Sequence, residues 1–428
     1  MSKRRLLLGF LLPIASIALL STGCALGARS SVPQQDRGHF SAPEIPEGVG
    51  VNIHFTDPQP EEMKMLVASG VRWVRMDFYW QRIETQKGRY DFTPYDRLMA
   101  TLDQYHLRAL FILDYSNKLY DEGKSPHTST GRQAFARWAA AAARHFRGRG
   151  IYWEIYNEPN IDFWTPYPNV NDYTLLALEC AKAIREAAPE EALIGPAVSL
   201  IDFRFLEQCF KAGLLEYWTA VSVHPYRRGD PETVIEEYGR LRRLIDGYTP
   251  PGKRVHIISG EWGYTSASHD LDESWQAVML SRTLLVNQSN GVALSIWYDW
   301  HDDGEDPKNI EHHYGLVFFP YHADRDPVYD AKPSYRAMQT LNKLLAGYRF
   351  SEKLTASNER YILAFRKGDS ICWAVWTTSS RGNAVRIEVR PGKYRIFSHT
   401  GELVGLRTVA GTELTLAVTH APQYIVPD

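Results

Sequence analysis

Two glutamates hold the chemistry of this chain. Glu158 stands in Tyr152-Trp153-Glu154-Ile155-Tyr156-Asn157-Glu158-Pro159-Asn160, and Glu261 in Val255-His256-Ile257-Ile258-Ser259-Gly260-Glu261-Trp262-Gly263. Each closes a short run of aromatic or β-branched residues, the composition of a buried strand. Proline lacks the N–H a sheet ladder needs and biases the preceding residue to an extended conformation, so the first strand ends at Glu158. Parallel α/β folds display their chemistry at such carboxyl ends. A carboxyl pair there suits cleavage of a glycosidic bond: one group protonates the leaving oxygen, the other captures the oxocarbenium-like centre. A lone strand-end glutamate reads more simply as a solvated residue. Two of them, one before proline and one before tryptophan, do not.

Other residues fit around the pair. Asn157 can hydrogen-bond a sugar hydroxyl beside Glu158. His224-Pro225-Tyr226 closes another apolar run, and its imidazole and phenol can bond the charged form of Glu261. Arg75, in Val71-Arg72-Trp73-Val74-Arg75-Met76-Asp77, needs an anion if buried; Glu261 and the nearby Asp77 or Asp114 are equal candidates. Trp297 ends a further strand and is a candidate sugar platform, although core packing is the commoner use of tryptophan. Trp164, Tyr167, Trp262 and Trp300 lie just past strand ends and are expected to form stacking sites along a groove. His301-Asp302-Asp303-Gly304-Glu305-Asp306 and Glu311-His312-His313 hold metal-ligating types, but in no regular site spacing. They read as a cleft-lining loop, and no metal or organic cofactor is expected.

Positioning these residues takes a repeating scaffold. Strand patterns occur at Val49–Phe55, Trp73–Phe78, Ala109–Asp114, Tyr152–Tyr156, Leu193–Ala197, Ala220–His224, His256–Gly260 and Ala293–Tyr298. Helical patterns lie between them, at Glu61–Ala68, Gly131–Phe146, Asp172–Ala188, Asp202–Ala212, Pro231–Asp246 and Glu273–Asn287. Eight such units predict a (β/α)8 TIM barrel over residues 47–349. The missing Gly-rich phosphate turn counts against a nucleotide-binding open sheet. Past a helix at Pro333–Leu345, short strands separated by Gly, Ser and Asn turns predict a small β-sandwich over 350–428.

The balance of 48 Lys and Arg against 50 Asp and Glu recommends no nucleic-acid partner. Lys3-Arg4-Arg5, an apolar run from Leu6 to Leu20 and Ser21-Thr22-Gly23 before Cys24 have the layout of an export signal over 1–23. A cysteine after small residues resembles a bacterial lipobox, with a lipid anchor at Cys24, although Ser21 stands where leucine is usual. Residues 24–46 read as a flexible tether. The expected location is the periplasm or outer membrane as a lipoprotein, or otherwise outside the cell. Cys180 and Cys209 read as buried thiols rather than a bridge, and three mature cysteines cannot all pair.

With Asn-Glu-Pro after strand 4, His-Pro-Tyr after strand 6, a glutamate after strand 7 and a tryptophan on strand 8, the chain resembles the retaining glycoside hydrolases of clan A. Trp153 to Asn160 and the appended sandwich are most similar to family 39, and within it to the Psl-type endoglycosidases that cut biofilm exopolysaccharide. The resemblance implies that Glu158 is the acid/base and Glu261 the nucleophile. The expected activity is endo cleavage of a polysaccharide by a monomer. The rivals are an exo-acting β-xylosidase-like or uronidase-like enzyme, and a barrel that binds polysaccharide without cutting it.

Overall fold

A computed structural model describes residues 44–267, 272–355, 357–380 and 383–428. The export signal, most of the tether and Cys24 lie outside these residues. Eight parallel strands close in sequence order: β1 (Val49–Asn52), β2 (Trp73–Tyr79), β3 (Arg108–Asp114), β4 (Tyr152–Ile155), β5 (Ala192–Ser199), β6 (Ala220–His224), β7 (His256–Trp262) and β8 (Leu294–Trp297). β8 pairs back to β1, with Val51 beside Trp297. The barrel is thus the TIM architecture that the strand and helix alternation predicts.

Side chains alternate along each strand, so every second residue points into the barrel. Trp73, Leu110, Ile112, Tyr152, Ile194, Ile258 and Ile296 fill its apolar lower interior. Two positions further along their strands, Arg75 and Glu154 belong to the same inward set and begin a polar layer at the carboxyl ends. The intervening residues face the surrounding helices: Val74, Phe111, Trp153 and Val221 lie in the large core between strands and helices.

The helices match the sequence patterns to within a few residues. Thr93–Gln104 was not foreseen as a helix; it opens with Pro at its first turn and buries Tyr95, Leu98, Met99 and Leu102. The last residues of the expected tether are folded. Ile45 is fully buried, its carbonyl accepts from the Gly347 amide, and Glu44 pairs with Arg349.

The C-terminal part is a six-stranded antiparallel sheet beside a two-stranded one, with an apolar core that includes Trp373, Ile387, Ile396 and Leu416. It holds three strands the sequence reading lacked, Arg349–Lys353, Leu403–Val409 and Gln423–Pro427. A buried network joins it to the barrel. Arg282 donates to both oxygens of Glu232, at 2.8 and 2.6 Å, and Trp376 Nε1 donates to Glu232 at 2.6 Å. Cys180, Cys209 and Cys372 are free and buried.

Candidate active site

Arg75 organises the mouth of the barrel. It is 1% exposed, and all five of its N–H donors find acceptors. Nε donates to Glu154 at 2.8 Å. Nη1 donates to Asn52 at 3.2 Å and to Glu261 at 2.7 Å. Nη2 donates to Asn157 at 2.7 Å and to His224 Nε2 at 3.3 Å. Of the three anions offered by the sequence, Arg75 therefore takes Glu261 rather than Asp77 or Asp114. Its second anion, Glu154, was missed. Glu154 lies two positions beyond the inward Tyr152, and that spacing was the available signal.

The network fixes tautomers and amide orientations, because arginine only donates. His224 Nε2 accepts from Arg75, so the ring proton sits on Nδ1. Nδ1 then donates to Glu158 Oε1 at 2.9 Å. His224 was expected to serve Glu261; its nearer partner is Glu158, with Glu261 Oε2 at 3.8 Å. Burial pulls this imidazole down to about 4, so it stays neutral. Asn157 presents its oxygen to Arg75 and its amide nitrogen to the Tyr115 hydroxyl, at 2.9 Å.

Glu158 reaches the cavity through an abrupt end to β4. Tyr156 and Glu158 both have left-handed backbones, with φ of 68° and 45°. Such conformations are costly outside glycine and persist where the surroundings hold them. Here the Tyr156 amide bonds the Leu113 carbonyl at 3.0 Å, and the Glu158 amide bonds that of Ala197 at 2.9 Å. Burial pushes the Glu158 carboxyl up to about 7, opposed by the Ser199 hydroxyl and the charge of Arg75. That value suits a group that gives and takes a proton near neutrality.

Glu261 has different company. Besides Arg75, the Tyr226 hydroxyl donates to its Oε1 at 2.9 Å, as the sequence reading proposed. The preceding Gly260 has no room for a side chain: a Cβ there would stand 2.2 Å from Ser222 Oγ. His224 Nδ1 lies 2.9 Å from Glu158 Oε1 and 3.8 Å from Glu261 Oε2. The two carboxylates are thus under about 7 Å apart, which admits the roughly 5–5.5 Å of a retaining pair.

Both glutamates line a cavity of about 530 Å³ together with Arg75, Asn157 and Tyr226. The expected tryptophan platforms do not line it. Trp164, Trp262, Trp297 and Trp300 are each 1% exposed. Trp164 packs between Tyr156 and Tyr173, and Trp300 donates to Glu62. Trp262 lies past a break in the β7 register that follows Ser259 and packs into the large core, and Trp297 donates to the Tyr314 carbonyl. Tyr167 is exposed but outside the lining. The aromatic lining comes instead from Tyr115, Phe163, Tyr226, Tyr298 and Tyr314, joined by Asn52, His54, Asp77, Ile161, Ser199 and Glu311. Several of these lay within the sequence pattern: Asp77 is two positions past Arg75, and Tyr298 and Phe163 are each next to a tryptophan that was chosen in their place.

A family model described as cellulase (glycosyl hydrolase family 5) matches residues 44–304, more than half of the chain. A β-xylosidase of Geobacillus stearothermophilus is 22% identical over 340 residues, 70% of this chain, and the match spans 64% of that relative's length. Among solved structures, a family 39 glycoside hydrolase from Bacteroides cellulosilyticus superposes with a TM-score of 0.78 at 24% identity, covering 90% of this chain and 81% of that one. A family 39 β-xylosidase from Caulobacter crescentus gives 0.66 at 18% identity, covering 91% and 98%. These structures share the fold. With the two glutamates at the ends of β4 and β7 of one barrel and the family model spanning that barrel, the chain belongs to the cellulase family, glycosyl hydrolase family 5, within the retaining glycoside hydrolases of clan A.

Proposed function

We propose that this protein is a retaining β-glycosidase that cuts within a β-linked polysaccharide outside the cytoplasm. The observation that carries the mechanism is the unlike surroundings of the two carboxyls. Glu158 is buried against a neutral imidazole and holds its proton to about 7. Glu261 accepts from a guanidinium and a phenol. In the first step a Glu261 oxygen bonds the anomeric carbon as the bond to the leaving oxygen breaks. The Glu158 proton passes to that oxygen. In the second step water attacks the anomeric carbon, gives a proton to Glu158 and releases Glu261 as a carboxylate.

The lining favours a sugar without a carboxylate. Among the described residues there, Arg75 has every donor engaged and His54 lies 3.4 Å from Asp299. A uronate would meet the Asp77 and Glu311 carboxylates, and no described lining side chain offers it a free positive charge, which weighs against the uronidase-like rival. Phe163 is 47% exposed, with its ring tilted against Tyr115, and it continues the lining beyond Glu158. An apolar ring there supports stacking of a sugar beside the cleaved bond, and endo action adds that the chain continues on both sides of that bond. The β-xylosidase relative favours a second reading, exo release of xylose. A panel of β-linked polysaccharides and aryl glycosides, with products sized by mass spectrometry, separates the two. Internal fragments from xylan or an exopolysaccharide support endo cleavage; release of terminal monosaccharide alone supports the second reading. The proposed setting is the biofilm matrix or cell envelope, reached through an export signal and a lipid on Cys24, with the protein acting as a monomer.

A further inference from the structure

The run His301 to Asp306 has no metal spacing of its own. The fold supplies what the run lacks. His54 follows β1, and β1 is the hydrogen-bonded neighbour of β8, so His54 stands beside the residues that follow β8. A ring nitrogen of His54 and carboxylate oxygens of Asp299 and Asp303 all lie within 4.8 Å of one another. Ligands held about 2.0–2.2 Å from one ion stand roughly 3–4.4 Å apart, so shifts of a few tenths of an ångström would close the set.

Asp299 provides the second, independent observation. It is 1% exposed, and its Oδ1 accepts no hydrogen bond among the described residues. Its Oδ2 lies 3.4 Å from His54 Nε2. Buried carboxylate oxygens are rarely left bare. A proton on His54 serves Oδ2 and leaves Oδ1 unmet, whereas a divalent ion between the three side chains answers the whole carboxylate. His54 and Asp303 are exposed, and His54 lines the cavity, so an ion can enter and keep open positions towards it.

We propose that His54, Asp299 and Asp303 form a binding site for a divalent transition ion at the β1–β8 edge of the cleft. One imidazole and two carboxylates suit zinc or manganese, whereas calcium prefers six or more oxygen ligands. The open positions would take water or adjacent hydroxyls of a bound sugar. The site plays no part in the two-glutamate steps, so its test reads metal binding alone.

Untagged full-length protein, stripped with chelator, is titrated calorimetrically with zinc chloride, manganese chloride and calcium chloride near neutral pH. The expected result is one saturable equivalent of zinc or manganese per chain. Asp303→Asn and His54→Gln, both at exposed positions, should each weaken it at least about tenfold. Far-ultraviolet circular dichroism confirms that both variants are folded. Three results would overturn the site: no saturable binding, stoichiometric binding that both substitutions leave unchanged, or binding of calcium alone.

Discussion

Replacing Glu158 with glutamine should change how stability depends on pH. Burial raises its carboxyl from an ordinary 4.5 to about 7. Each unit corresponds to about 1.4 kcal/mol, so ionising Glu158 in the folded chain costs up to about 3 kcal/mol more than in the unfolded chain. The folded value is the higher one. Its contribution to stability is therefore fully present below about pH 4.5 and is lost as pH rises through about 7. Glutamine still offers an oxygen to the His224 Nδ1–H and never ionises. The unfolding free energy of Glu158→Gln minus that of the wild type should thus climb by up to about 3 kcal/mol between about pH 4.5 and pH 9. Urea unfolding followed by tryptophan fluorescence measures the difference, with the barrel transition compared at each pH. A difference that stays flat across the range would show an ordinary carboxyl at Glu158, and the physical basis for its proton-donor role would be gone.

The same carboxyl must be protonated to start the reaction, so kcat/KM should fall above about pH 7, and Glu158→Gln should lose most activity towards substrates with poor leaving groups. Arg75→Lys replaces five fixed donors with three and leaves buried acceptors unserved; it should lower stability by about 3 kcal/mol in a thermal melt and reduce kcat sharply. Phe163→Ala should cost about 1 kcal/mol in kcat/KM, several-fold, on long oligosaccharides and little on aryl monosaccharides; equal losses on both would remove the platform beyond Glu158. Cys24→Ala should move the protein from the membrane fraction to the soluble one, and an unmodified mature N-terminus at another residue would end the lipid-anchor proposal.

The barrel was legible because eight short apolar strand runs alternate with helical patterns along the chain, and the two glutamates because each closes such a run. What surrounds them was less so. Two tryptophan platforms failed for local reasons: Trp297 follows the inward Ile296 and faces the helices, leaving the cavity to Tyr298, and β7 breaks its register between Ser259 and Trp262, so alternation from Ile258 does not place Glu261 or Trp262. His224 was given to the wrong glutamate because its choice depends on where Arg75 donates, a contact between β2 and β6 that local sequence does not encode. Glu154 was passed over as an ordinary strand residue, although a carboxylate at an inward position deep in a barrel demands a partner. The strands Arg349–Lys353 and Leu403–Val409 were missed because much of their surface faces solvent, which leaves no apolar run; Gln423–Pro427 is largely buried, and its Tyr424-Ile425-Val426 run was the available signal.

In the proposed mechanism Glu261 carries the sugar between the two steps. A panel of 2-deoxy-2-fluoro-β-glycosyl fluorides slows the second step more than the first and lets the intermediate accumulate. Intact mass followed by peptide mapping then locates it. The expected result is one glycosyl adduct per chain, on the peptide containing Glu261 and lost in Glu261→Gln. A label on any other residue, or turnover of a β-fluoride that first releases the α-anomer with no adduct, would contradict it.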